Sequence, residues 1–135
     1  MCIRDRAMAT STKFEVSNKF NANVLCDENK LLNIMINLFY NALDSIESAK
    51  TQGVIKINTE ETADNMLKIY ITDNGCGIEQ DACEKIFEEG YTSKTTGSGL
   101  GLHISKEAMK EQYGDLNLVN SEKGSTTFVI SLPKL

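Results

Sequence analysis

No apolar run in this 135-residue chain approaches the ~18 residues a helix needs to cross a bilayer. Nor does the opening "MCIRDR" hold an apolar stretch long enough for a secretory leader. Basic clusters are missing too. Fourteen lysines and arginines stand against 19 acidic residues, for a net charge of -5, which argues against nucleic-acid binding through phosphate neutralisation. An anionic ligand would need a local site built from backbone N–H groups, a metal ion or one or two lysines. The four cysteines, Cys2, Cys26, Cys76 and Cys83, form no C-x-x-C pair and have no histidine at zinc spacing; free thiols in a reducing, cytoplasmic compartment are expected.

What is present is the composition of a soluble globular domain, 41% hydrophobic and 24% charged, long enough for one continuous core. The first hexapeptide is similar to the translation of a sequencing adaptor. Residues 1–12 are therefore set aside as non-native or disordered, a native N-terminus is expected to be missing, and 13–135 are expected to form one domain. "KFEVSNKF" (Lys13 to Phe20) alternates as a strand. From Asp27, a plausible N-cap, to Lys50 there is neither Gly nor Pro, which predicts one long helix. "GVIKINTEE" and "NMLKIYITD" read as a hairpin turning near Ala63 to Asn65. "EQDACEKIFEEG" reads as a short helix and "YTSKTTGSG" as a flexible loop. "LGLHISKEAMKEQYG" reads as a second long helix capped by Gly114, and "DLNLVNSEKGSTTFVISLP" as a final hairpin turning at Glu122 to Gly124. This mixed order implies an antiparallel-rich sheet covered on one face by helices.

Three features break the ordinary pattern. On the first long helix Leu31, Ile34, Met35, Leu38, Phe39, Ala42, Leu43 and Ile46 make a broad apolar face. Lys30, Asn33, Asn37, Asn41 and Asp44 fall opposite, within about 80° at the helical period. A solvated face normally uses Glu, Lys and Gln, because asparagine disfavours helix. Asn37 and Asn41 project side by side, and their amide oxygens suit a hard cation. Ser45 and Asp44 end the same stripe without an assigned role. In "LKIYITD", Leu67, Ile69, Ile71 and Asp73 share one strand face, so a core row ends in a carboxylate that needs donors. A tight turn at "DNG" is the plain alternative. Against it, Gly75 and Gly77 open room there for a ligand bearing an N–H.

The third feature is "TTGSGLGLHISK", in which Gly97, Gly99 and Gly101 alternate into a helix. Glycine permits close backbone approach, and a helix start offers unpaired N–H groups to an anion. This loop is neither a Walker A loop nor a dinucleotide fingerprint. A phosphate cradle, with Lys94 reaching a terminal phosphate, is one reading; a flexible linker is the other.

Together "NIMINLFYNALDSI", "DNGCGI", "IFEEGYTSK" and "TTGSGLGLHISK" stand in the order and spacing of a known family. They resemble the asparagine, first glycine, phenylalanine and second glycine boxes of the catalytic ATP-binding domain of bacterial sensor histidine kinases. That family shares a superfamily with gyrase and the ninety-kilodalton heat-shock chaperone. "GYTSK" is similar to the nitrogen-regulation and sporulation subtype.

The resemblance implies an α+β Bergerat fold: a two-layer sandwich whose mixed, mostly antiparallel sheet carries helices on one face, with a flexible ATP lid from about Glu79 to Ser98. By position, Asn41 together with Asn37 would hold Mg²⁺ on the ATP phosphates, and Asp73 would accept the adenine amino N–H. Gly75, Gly77 and Ile78 would shape the base pocket, and Thr127 would support it. Lys94, Thr96, Gly97, Ser98, Gly99, Leu100, Gly101 and Leu102 would wrap the phosphates.

Asn37 stands where hydrolysing relatives place a glutamate base. An amide takes no proton and a neutral imidazole needs none removed before attack, so phosphotransfer to histidine is favoured, with Asn37 and Lys94 as the catalytic pair. The acceptor histidine would lie on a separate helical dimerisation domain, and a response regulator would receive the phosphoryl group. The parent protein would be either free or membrane-anchored. The isolated domain is expected to be a monomer that binds nucleotide without phosphorylating itself, and His103 is read as a packing residue. An ATP-driven clamp of the same superfamily and a non-catalytic nucleotide-binding module are the competing readings.

Overall fold

The glycine-free run after Asp27 folds as expected: helix α1 spans Glu28–Ala49. Asp27 Oδ1 accepts from the N–H groups of Asn29 (3.0 Å) and Lys30 (3.2 Å), satisfying two donors that the first turn leaves unpaired. Lys50, in the left-handed region at φ 53, ends the helix. The computed structural model describes residues 8, 11–17, 24, 26–91 and 101–134. Besides α1 they contain β1 (Lys13–Ser17), β2 (Val54–Glu61), β3 (Met66–Asp73), α2 (Gly101–Glu111), β4 (Asp115–Glu122) and β5 (Ser125–Pro133).

The five strands form one sheet in the order β1-β2-β3-β5-β4. Only β1 and β2 are parallel, joined through α1; the other neighbours are antiparallel. Leu67, Ile69 and Ile71 of β3 and Phe128, Ile130 and Leu132 of β5 alternate inward. They meet Ile34, Leu38, Ala42, Leu43 and Ile46 of α1 and Met109 of α2 in one core. Helix α1 packs on β3 and α2 on β4 and β5, and the two helices touch. The Asp27 N–H donates to Gln112 Oε1 at 2.6 Å, tying the start of α1 to the end of α2. The α+β sandwich is therefore the fold, with helices on one sheet face. Among the described residues, no helix is long and apolar enough to cross a membrane.

Three local details differ from the sequence pattern. Residues 80–87 make successive turns rather than a helix, with Ala82 N–H bonded to Glu79 O and Lys85 N–H to Ala82 O. Ile86 is buried in the core, and its neighbour Phe87 packs edge-on against the core residue Phe128. Next, β1 ends at Ser17, and residues 18–20 of the expected strand lie outside the described residues.

Finally, the left-handed residue closing α2 is Tyr113 (φ 62), not Gly114. Gly114 N–H reaches Met109 O and Tyr113 N–H reaches Lys110 O, the paired bonds of a Schellman ending with Gly114 one position further on. Tyr113 is 83% exposed, so its ring gains little from that position. We expect Tyr113→Gly to stabilise the domain by about 0.5–1 kcal/mol by relieving the left-handed strain, read as a higher urea midpoint at unchanged slope.

Candidate active site

Asp73 closes the inward row of β3 and is only 5% exposed. Its Oδ1 accepts the Gly75 N–H at 2.8 Å, and its carboxyl also takes a hydrogen bond from the Ser45 side chain on α1. Burial pushes the carboxyl up to about 6 from its ordinary 3.8; the Gly75 and Ser45 bonds pull the other way and only partly offset it. With two donors in place, the carboxylate keeps acceptor capacity for one more N–H.

The loop after Asp73 is pressed between α1 and the tip of the β4–β5 hairpin. Cys76 N–H donates to Ser45 O (3.2 Å), and Gly124 N–H donates to Gly75 O (3.0 Å). A Cβ at Gly75 would sit 2.2 Å from Ser45 Oγ, so only glycine fits between the helix and the strand end. Gly77 turns the chain at φ 81 beside the Glu122 backbone. Ile78, half-buried against the core, donates its N–H to Ser121 Oγ at 2.8 Å.

The amide stripe and the second helix meet nearby. Asn37 and Asn41 are both half-buried. Asn37 Nδ2 donates to Ser105 Oγ of α2 at 3.3 Å, and a Cβ at Gly101 would lie 2.6 Å from Asn37 Oδ1. The start of α2 therefore rests directly on the stripe, with Leu102 half-buried against the core. Lys94, Thr96, Gly97, Ser98, Gly99 and Leu100 lie outside the described residues. His103 Nδ1 donates to Phe87 O (3.2 Å), and Lys106 Nζ lies 4.5 Å from the Phe87 ring centre. Both side chains hold the segment leading out of the turn run.

One placement is corrected. Thr127, expected to support the base pocket, lies on the opposite sheet face, its Oγ1 2.8 Å from Thr72 Oγ1. Side chains alternate along β5, and the register partner of Asp73 is Thr126. Thr126 is 3% exposed and hydrogen-bonded to Ser121 Oγ (3.1 Å). The sequence did hold this signal: Thr126 is two residues before the core residue Phe128, so it shares that face. Ser45 was legible only as the third member of the i, i+4, i+8 series begun by Asn37 and Asn41.

Could such a site hold a magnesium nucleotide? Among the described residues, no three His, Cys, Asp or Glu side chains gather around a possible metal point. Neutral amide oxygens would instead share the ion with phosphate oxygens, as suits Mg²⁺. The spare capacity of Asp73 fits an amino group. The space beside Gly75 and Gly101, expected from the sequence to be open at Gly75, is filled by Ser45 Oγ and Asn37 Oδ1, which brings α1 close to both positions. The residues fit the group.

Comparison with known proteins gives the family and the fold. Residues 26–135 match the family described as histidine kinase-, DNA gyrase B-, and HSP90-like ATPase. The chain is 31% identical over 110 residues to the sensor protein FixL of Bradyrhizobium diazoefficiens, covering 82% of this chain and 22% of the relative. It is 34% identical over 107 residues to the signal transduction histidine-protein kinase AtoS of Escherichia coli, covering 79% of this chain and 17% of the relative. The chain thus spans about a fifth of the length of these curated relatives. Its fold superposes on the catalytic domain of histidine kinase ThkA with a TM-score of 0.81 at 26% identity, covering 98% of this chain and 85% of that one. The chain belongs to the histidine kinase-, DNA gyrase B-, and HSP90-like ATPase family, and its relatives there are sensor histidine kinases.

Proposed function

We propose that this domain binds ATP with Mg²⁺ between α1, the loop after Asp73 and the start of α2, and transfers the γ-phosphoryl group to a histidine on a separate helical domain. The observation that carries the reading is Asp73: a carboxylate held out of water by two fixed donors, with acceptor capacity left for the adenine amino group. Asn41, with Asn37 one turn before it, would hold Mg²⁺, which when bound offsets charge on the phosphates. Gly97, Gly99 and Gly101 would place backbone N–H groups on those phosphates, and Lys94 would neutralise the transferring group. Gly75, Gly77, Ile78 and Thr126 would enclose the base.

Asn37 offers no proton acceptor, and its Nδ2 is directed to Ser105. A water would not be activated there, which favours transfer to an imidazole that attacks with its own lone pair. His103 faces the Phe87 carbonyl and serves packing. The phosphohistidine would pass its group to the aspartate of a response regulator. We place the domain, as a monomer in isolation, in the cytoplasm with its ATP supply.

Labelled ATP together with a helical acceptor domain tests the reaction. Acid-labile, base-stable label on the acceptor is expected, and none on the isolated domain. Label on His103, or hydrolysis to ADP without transfer, overturns the reading. Asn41→Ala should reduce the Mg²⁺-dependent part of ATP affinity about tenfold or more while leaving Mg²⁺-free ADP binding nearly unchanged, as titration calorimetry would resolve.

Asp73→Asn should abolish ADP binding and yet stabilise the fold. The wild-type carboxyl titrates in the native state at about 6, above its unfolded value of 3.8. Its contribution to stability is therefore fully present at low pH and is lost as pH rises through 6. The variant is expected to melt higher than wild type at neutral pH, by at most about 3 kcal/mol of stability, with the two converging near about pH 4. Equal melting curves across that range would contradict it.

A further inference from the structure

Ser45 has no role in the reading above, yet it meets Asp73, Gly75 and Cys76 at the base end of the site. It lies on α1 one turn beyond Asn41, half-buried. Its carbonyl accepts the Cys76 N–H at 3.2 Å, fixing the loop that follows Asp73. Its hydroxyl donates to the Asp73 carboxyl and lies where a Cβ on Gly75 would meet it at 2.2 Å. The Gly75 N–H reaches the same carboxylate at 2.8 Å. Two donors from two different elements thus converge on one acceptor and fix its rotation.

We propose that Ser45 is a positioning residue for nucleotide recognition: its hydroxyl orients the Asp73 carboxylate and keeps it ionised to accept the adenine amino group. The inference rests on the assignment of Asp73 to the base. It also gives α1 a second task, since the helix that presents Asn37 and Asn41 toward the phosphates sets the acceptor for the base. The other groups facing this point are the Cys76 thiol, whose Sγ lies 3.5 Å from Ser45 Oγ, and the neutral Thr126 and Ile55, both register partners of Asp73 on neighbouring strands. None of these supplies a positive charge. The Ser45 hydroxyl is therefore the one side-chain donor acting on Asp73 among the described residues. A hydrogen bond to an ionised group is worth more than one between neutral groups, so its loss has a measurable effect.

Ser45→Ala removes one oxygen from a helix and should leave folding intact, which the melting temperature checks. The Asp73 carboxyl of the nucleotide-free domain is titrated by carbon-13 NMR, and ADP affinity is measured from acidic to alkaline pH. The variant is expected to titrate about one pH unit higher than wild type and to bind ADP about tenfold more weakly at about pH 5 and about twofold more weakly at neutral pH. The loss should narrow as the pH rises, because adenine needs the ionised acceptor. Ser45→Cys, similar in size with a weak donor, should fall between the two. An unchanged Asp73 titration, or a shifted titration with unchanged ADP affinity, overturns the role of Ser45. Asp73→Asn keeps the two readings apart: if it still binds ADP as wild type does, the base assignment itself has failed, whereas its loss of binding beside an unaffected Ser45→Ala refutes only the proposal made here.

Discussion

The Asp73 carboxylate accepts the Gly75 N–H while only 5% exposed, at the end of a strand face that is otherwise isoleucine and leucine. Keeping that group ionised in such surroundings sets conditions on everything near it. A donor must come from the loop, which forces the chain to fold back at once. A second comes from α1, which forces the helix within reach of a side chain. The loop then has no room for a Cβ, and the hairpin tip closes it from the other side through Gly124. An amide in place of the acid would ease the fold and, on the proposed assignment of Asp73 to the base, give up recognition, a common trade at functional sites.

Helix α1 serves two masters. One side supplies Leu38, Leu43 and Ile46 to the interior. The other carries amides that a purely structural helix would not choose. Because both faces belong to one rigid rod, the packing of the interior fixes the distance between the amide stripe and the end of β3. Helix α2 adds the remaining fixed point: Gly101 lies against Asn37, and Lys106 donates to the Leu116 carbonyl at 2.8 Å, holding α2 to β4.

Much of this was legible in the sequence where one period dominates. The alternation from Leu67 to Asp73 gave the buried row and its odd terminal acid directly, and Asp27 and the glycine-free run gave the helix. The family likeness followed from four motifs in order, and the match over residues 26–135 agrees with it. Where tertiary demands compete, the pattern misled. "EQDACEKIF" has helical composition, but the chain there makes successive turns, with Ile86 in the core and Phe87 against Phe128. In "STTF" the two threonines look equivalent until the register of β5 against β3 separates them. Gly114 looked like the cap because glycine is the usual left-handed residue, yet the chain turns one position earlier.

The irregularity in β4 bears on how this hairpin can vary. Pairing slips between Leu118 and Asn120, so Val119 is an extra residue, 55% exposed. Below the slip Leu118 pairs with Phe128; above it Ser121 pairs with Thr126, close enough for its hydroxyl to receive the Ile78 amide. Remove the extra residue and the ladder becomes regular, with Asn120 still opposite Thr127 and Ser121 still opposite Thr126. The bulge therefore acts as a slack link: it lets Leu118 and Ser121, three residues apart, face the same side, and the arm can lose the residue at 119 without exchanging the side chains that meet Thr126.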